Sequence, residues 1–402
     1  MSDYMFNLES HLSPEQGAVL AAVTASAADA GVSLFLSGGA MRDMLGGFPI
    51  RDLDFTVEGN GVKLAKDVAK KNHAEILSTD EVRKSVELRF PNGVTCEIGT
   101  AHTEKYSKTG AKPQVAPATI HDDLRGRDFT VNAIALSLNR ASRGLMIDPT
   151  NGASDLERRE LRTTSNYTLY DDPIRVFRLI RFKARFAFTI EDRTLQQLRN
   201  AREAGVEKYL QPKALLAELR HIAGENSPYD ILQALDEEGL IKCFCPALTG
   251  AKLNAQSFQK IAKAKAMIPF GAAFPTDWYA ISMYCMTQLL SAKERAALIA
   301  NTKMLKADID PWQKLETKSK KLETSLKSAK LTKASHIYDL LRKAATAASC
   351  LFWERIMQFH AALRIALFDD FESNSLRVAA RALRSKSAIR NPQSEFVSTP
   401  AA

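Results

Sequence analysis

Asp52 and Asp54, one residue apart, are the side chains in this sequence whose type and spacing most directly suggest chemistry. In an extended strand, residues i and i+2 share a face, so both carboxylates project together while Leu53 points into the core. Adjacent carboxylates repel one another, and magnesium, a hard cation that prefers oxygen ligands, relieves that repulsion. A pair of such metals about 4 Å apart can activate an attacking hydroxyl and stabilise a departing pyrophosphate. Upstream, Gly38-Gly39 falls between a strand-like run and a helix-like run, where backbone amides can open toward an anion. Arg42 lies in the first turn of that helix and adds a positive charge suited to a phosphate.

Two further groupings carry polar chemistry. Asp172 and Arg175 are three residues apart at the start of a helical segment, so they share one face. A carboxylate beside a guanidinium presents acceptor and donors together, which can match the Watson–Crick edge of a base bearing an exocyclic amine. Arg178 and Arg181 continue the same stripe. Arg127 and Asp128 immediately precede the alternating apolar run Phe129–Leu136, with Asn132 inside it.

The elements that must position these residues follow from periodicity. A helix is predicted around Pro14–Ala30, then a strand over Val32–Leu36, a short helix through Leu45, a strand over Asp52–Val57 and a helix over Val62–Lys71. Val86–Phe90 and Thr95–Ile98 flank Pro91-Asn92-Gly93, a hairpin signal. Residues 103–120 are polar, contain two prolines and lack periodicity, which predicts a long functional loop. Beyond Asp148–Gly152 the pattern turns helical, with an apolar stripe at Val176-Phe177, Leu179-Ile180, Phe182 and Phe186. The predicted fold is α+β, a mixed α/β head with a small sheet followed by an all-helical neck, body and tail. The expected divisions are 1–150, 151–225, 226–384 and a disordered tail at 385–402.

The 402 residues exceed one compact core. The net charge of +9 is uneven: residues 251–402 hold 24 Lys and Arg against 12 Asp and Glu, while the rest hold 31 against 34. A basic C-terminal part beside a near-neutral N-terminal part suits a polyanionic partner, and the lysines of 302–345 are its best candidates. Five scattered cysteines, with Cys243 and Cys245 separated by a single residue, form no zinc or redox motif. His121-Asp122 has no further histidines at ligand spacing and reads as coincidence. The tryptophans Trp278, Trp312 and Trp353 are expected in the core. No signal-peptide pattern or apolar run of ~20 residues is evident, so a cytoplasmic location and no membrane contact are expected.

The segment GGAMRD followed by DLDF resembles motif A of the class II tRNA nucleotidyltransferase and poly(A) polymerase family, within the DNA polymerase beta-type superfamily. Glu97 in CEIGT, RDFTVNA at 127–133, IDPTNGASDLERRELR up to Arg162, DDPIRVFRLIRFKARFAF at 171–188 and, loosely, Gln211–Arg220 with Glu218 follow in the family's order. The resemblance covers roughly residues 32–222. It implies Asp52 and Asp54 as magnesium ligands, Glu97 as a third acidic residue of the site, and Gly38, Gly39 and Arg42 at the triphosphate. It likewise implies Arg127, Asp128 and Asn132 at the nucleotide's phosphates and sugar, and Asp172 with Arg175 choosing the base. Arg178 and Arg181 are expected toward triphosphate or RNA. The implied reaction adds CCA, or part of it, to tRNA 3′ ends from CTP and ATP.

A poly(A) polymerase and a dedicated A-adding enzyme are the enzymatic alternatives. GGAMRD is closer to the tRNA-specific pattern, and the loop at 103–120 argues against CC-only addition. A non-catalytic RNA-binding scaffold would be free to lose Asp52 or Asp54. The sequence departs from the family at Gly126, where an arginine is usual, at Ala101-His102, where an aromatic and an arginine are usual, and at Asp171, where glutamate is usual. Oligomeric state is left open by the sequence.

Overall fold

A computed structural model of the chain describes residues 4–267, 276–326, 340 and 343–344. Cys350, Trp353, Tyr338, most of the lysine stretch beyond 326 and the tail from 385 lie outside the described residues. The chain divides into two compact units, Met1–Ala214 and Leu215–Ala402.

In the first unit the helix Pro14–Ala30 begins where the sequence supplies a capping box: Ser13 accepts from the Gln16 backbone, Gln16 reaches back, and Pro14 occupies the first turn. Gly31, at φ 65°, ends it in the left-handed conformation that glycine adopts most readily. The chain then enters β1 (Ser33–Ser37), and after the helix Gly39–Leu45 it returns as β2 (Leu53–Glu58). The helix Gly61–Asn72 leads to β3 (Glu75–Asp80), β4 (Ser85–Arg89) and β5 (Thr95–Thr100); β4 and β5 form the hairpin predicted around Pro91–Gly93. Then come β6 (His102–Lys105), β7 (Gln114–Pro117), β8 (Ala135–Ser137) and β9 (Met146–Ile147).

Seven strands make one sheet in the order β3-β4-β5-β2-β1-β8-β9. Within it β2 and β5 run parallel and the other neighbours antiparallel. The register sets Ser37 opposite Asp54, Asp54 opposite Glu97, and Glu97 opposite Glu87. These four positions therefore share one face. Leu53, Phe55 and Val57 alternate to the other face and are fully buried.

The segment 103–120 differs from the loop predicted for it. β6 and β7 pair from His102–Pro117 to Lys105–Gln114, forming a separate two-stranded hairpin. Its strands are short and only half covered, so no apolar alternation marks them in sequence. Backbone pairing and ion pairs hold the hairpin instead. The first unit also contains two tiny parallel strands, β10 (Glu160–Leu161) and β11 (Thr189–Ile190).

The helix Ile174–Phe186 buries the predicted stripe: Val176, Phe177, Leu179, Ile180, Phe182 and Phe186. Phe182 packs edge-on to Phe129, and Phe186 packs against Phe48 and Phe188. Burying two such phenylalanines contributes roughly 3–6 kcal/mol, which locates this helix against the sheet domain.

The second unit, among its described residues, is helical, with helices Pro228–Glu237, Ala255–Met267, Trp278–Thr287, Ala292–Thr302, Lys306–Gln313 and Leu315–Leu326. Trp312 is fully buried there, as expected of a core tryptophan. No disulfide joins the described cysteines. No described helix is long and apolar enough to cross a membrane.

Candidate active site

Asp54 projects from β2 against the two glycines that end β1. A Cβ placed on Gly38 would lie 2.8 Å from Arg127 Nη1 and 3.4 Å from Asp54 Oδ2; one on Gly39 would lie 3.5 Å from the same carboxylate oxygen. Gly38 has φ 66° and ψ −124°, a conformation closed to side chains with a Cβ. Its N–H donates to the Ile134 carbonyl (3.1 Å), so the glycine serves close approach more than anion binding through its own amide. Gly38→Ala is therefore expected to lower the melting temperature by several degrees. It is also expected to cut catalytic turnover at least about tenfold, because backbone strain of roughly 1–3 kcal/mol falls on the Asp54–Arg127 contact. Thermal melting alongside steady-state kinetics tests both.

Asp52 stands one residue before β2, at the exposed rim, and the register puts Glu97 beside Asp54. Desolvation, then the charges of Glu97 and Asp52, push the Asp54 carboxyl up to about 7, although Arg127 and Arg42 pull the other way. The Asp52 carboxyl is also raised, first by desolvation. Carboxylates held together at this electrostatic cost fit a divalent cation, whose charge would reverse the shift. Among the described residues no three ligand-type side chains stand close enough to enclose a metal. An ion here would complete its coordination with water and substrate oxygens, as magnesium commonly does.

Arg42 does not reach outward from the first turn. Only 6% exposed, it lies with its guanidinium 5.2 Å from the Phe182 ring centre and 4.9 Å from that of Phe186. Its Nε donates to Asp43 Oδ1 (2.8 Å) and its Nη1 to Asn132 Oδ1 (2.7 Å). Asn132 Nδ2 donates to Asp128 Oδ1 (2.9 Å), and Arg178 Nη1 donates to Asp128 Oδ2 (2.8 Å). At the other end Arg185 Nη2 donates to Asp43 Oδ2 (3.5 Å). The chain Arg178–Asp128–Asn132–Arg42–Asp43–Arg185 thus begins and ends on the helix Ile174–Phe186. Burial opposes ionisation of Asp128, but the charges of Arg178 and Arg175 and its hydrogen bonds hold its carboxyl at about 2.

Arg127 closes the opposite side. It donates to Asp123 (3.0 Å), Ser37 Oγ (2.9 Å), Thr56 Oγ1 (3.1 Å) and the Asn132 carbonyl (3.3 Å). Asp172 and Arg175 stand together as predicted, Nε to Oδ2 at 3.9 Å. Arg178 is partly exposed beside them, whereas Arg181 is buried with its guanidinium against the Phe182 ring. The surface stripe therefore runs through Arg178 and stops short of Arg181.

Sequence reasoning missed Glu104, Arg83 and Asp123. Glu104 accepts from Arg83 Nε (2.7 Å), Tyr106 Oη (2.6 Å) and Arg175 Nη2 (3.4 Å). The only local signal was a carboxylate two residues beyond the Ala101-His102 departure. Pairing across 71 residues with Arg175 has no trace in sequence.

Residues 34–162 match the family model described as the poly A polymerase head domain. An A-adding tRNA nucleotidyltransferase of Geobacter sulfurreducens is 32% identical over 57% of this chain and 26% of its own length. Another from Halalkalibacterium halodurans is 32% identical over 59% of this chain and 56% of its own. The chain thus spans between about a quarter and about half the length of these curated relatives. An apo form of a CCA-adding enzyme superposes with a TM-score of 0.59 at 23% identity, covering 99% of this chain and 88% of that one, which establishes a shared fold.

Proposed function

We propose that this chain, whose residues 34–162 match the poly A polymerase head domain, is a class II tRNA nucleotidyltransferase that extends tRNA 3′ ends from CTP and ATP without a nucleic-acid template. The observation that carries this reading is Asp54, set against Gly38 and Gly39 and beside Glu97, with its carboxyl pushed up to about 7.

In this reading the RNA 3′-hydroxyl oxygen bonds to the α-phosphorus, the α–β anhydride bond breaks, and pyrophosphate leaves. Asp52 and Asp54 would hold a divalent ion such as magnesium, which would supply positive charge at the attacking hydroxyl and the leaving group. Glu97 supports that charge or takes the hydroxyl proton. Gly38 and Gly39 leave room for the triphosphate over Asp54. Arg42 and Arg127 set the positive field beneath it, and Asp128 and Asn132 keep them in place. Asp172 and Arg175 present acceptor and donors to the base edge. Arg178 meets the nucleotide from the same helix face, and Arg181 supports that helix from within. The basic second unit grips the RNA backbone.

The curated relatives named above are A-adding enzymes, and the superposed structure is a CCA-adding enzyme. One experiment separates the two end points. Purified protein with magnesium is given tRNA transcripts ending at the discriminator base, after C and after CC, each with CTP, ATP or both. Full CCA on the shortest transcript identifies CCA addition. A single A confined to the CC transcript identifies A addition. Long A tails on any RNA would replace the reading with poly(A) synthesis, and no incorporation would overturn it.

A further inference from the structure

Asp123 has no part in the chemistry above, yet it holds a residue that does. It lies on the helix Ile120–Arg125 with its side chain 7% exposed. Its Oδ2 accepts from Arg127 Nε at 3.0 Å and stands 2.9 Å from Arg127 Nη2. Its Oδ1 accepts from the His102 backbone N–H at 3.2 Å, so the carboxylate is held at both oxygens. The His102 ring faces the same Oδ1, with Nδ1 3.7 Å away.

The helix that carries Asp123 is tied to the strands that form the site. Ile120 N–H donates to Oε1 of Glu58, the last residue of β2, at 2.8 Å. Ile120 and Leu124 pack with Phe35 of β1 and Ala135 of β8 in one buried cluster. Asp123 therefore reaches Arg127 from a platform fixed to the same sheet as Asp54.

A guanidinium has five N–H donors in a rigid fork. One edge of the Arg127 fork is occupied: Asp123 takes Nε and Nη2, and the hydroxyls of Ser37 and Thr56, themselves 2.8 Å apart, also accept from Nη2. Nη1 donates to the Asn132 carbonyl at 3.3 Å, and among the described residues its second N–H has no acceptor. A Cβ on Gly38 would stand 2.8 Å from Nη1 and 3.4 Å from Asp54 Oδ2, so the space that glycine leaves is bordered by both groups. A cation on a long flexible stem keeps one orientation only where its other edge is pinned.

We propose that Asp123 is a positioning residue for the incoming triphosphate, pinning one edge of Arg127 so that Nη1 is presented over Gly38 to the phosphates that leave as pyrophosphate. This rests on the assignment of Arg127 to the triphosphate, and it extends that assignment to a residue beyond the nucleotide's reach. Asp123 acts through Arg127 and touches no reacting atom.

The test is steady-state incorporation on a single tRNA transcript by wild type, Asp123→Asn, Arg127→Lys and the double variant, with pyrophosphate as product inhibitor and melting temperatures alongside. Asparagine keeps the volume and one acceptor while removing the charge. For Asp123→Asn, the KM for the nucleotide and the inhibition constant of pyrophosphate should both rise about five- to tenfold, with kcat falling less. The KM for RNA and the preference for CTP and ATP over UTP and GTP should stay within about twofold of wild type. The double variant should lose little beyond Arg127→Lys alone, because both changes act on one fork. Ser37→Ala, which removes a hydroxyl from the same Nη2, should give the same pattern at lower amplitude and carries the test if Asp123→Asn melts early. An unchanged pyrophosphate constant, an equal loss in the KM for RNA, or effects that multiply in the double variant would overturn the proposal. Arg127→Lys that leaves both constants unmoved would overturn the assignment of Arg127 and this inference with it. Wild-type activity with an unchanged Asp123→Asn would overturn this inference alone, and wild type that extends no transcript would overturn the functional reading as well.

Discussion

Asp54→Asn is expected to lower nucleotide incorporation by at least about a thousandfold while leaving tRNA binding within about twofold. If Asp54 holds a metal ion as proposed, its loss removes several kcal/mol of transition-state stabilisation, and about 4 kcal/mol is a thousandfold in rate. The same substitution should raise the melting temperature of the metal-free protein near pH 8. Asp54 carries its charge where desolvation and the neighbouring Glu97 and Asp52 oppose it, so a neutral isostere relieves the folded state.

The sign follows from linkage. A carboxyl at about 7 in the folded state and near 3.8 unfolded keeps its proton when folded while the unfolded chain has lost it. Wild-type stability without metal therefore falls as pH rises from about 4 to about 7, and this component is absent from Asp54→Asn. Adding magnesium should reverse the difference at pH 8, stabilising wild type and leaving the variant unmoved. Melting curves at pH 5 and pH 8, with and without magnesium, decide it. A variant that keeps a tenth of wild-type incorporation, or one that magnesium still stabilises, would remove Asp54 from the metal site.

Asp172→Ala should change which nucleotide is used far more than how stably the protein folds. A paired contact to a base edge is worth about 1–3 kcal/mol of discrimination, so preference for CTP and ATP over UTP and GTP should drop roughly 5- to 150-fold. The fold has little to lose, because Asp172 lies outside the helix Ile174–Phe186 and Arg175 keeps its ion pair with Glu104. The melting temperature should shift by less than about 2 °C, within the range of a surface change. The measurement is kcat/KM for all four nucleotides on a single transcript. A uniform loss across them would show that Asp172 supports the helix start and does not read the base.

What the sequence by itself determined is what local physics controls. Ser13, Pro14 and Gly31 delimit a helix through capping and backbone preference within a few residues, and the structure places it at Pro14–Ala30 as predicted. The Asp52-Leu53-Asp54 alternation predicts a strand with its carboxylates away from the core. β2 has that character, although Asp52 falls just before its first residue. The stripe from Val176 to Phe186 predicts a buried helix face, because a period of 3.6 is written into neighbouring residues.

What only the tertiary structure decided is which distant groups meet. Glu97 stands beside Asp54 because β2 and β5 pair in parallel with one register among several that their apolar patterns allow. Arg42 looks like a phosphate ligand from its place after two glycines. It lies buried because Asn132, 90 residues on, and the Phe182 and Phe186 rings surround it. The hairpin of β6 and β7 has no periodic signal, since its strength lies in backbone pairing and in Glu104 reaching Arg83 and Arg175. Hydrogen bonds and ion pairs between remote residues depend on positions fixed by packing and register, and a linear pattern of residue types carries no record of them.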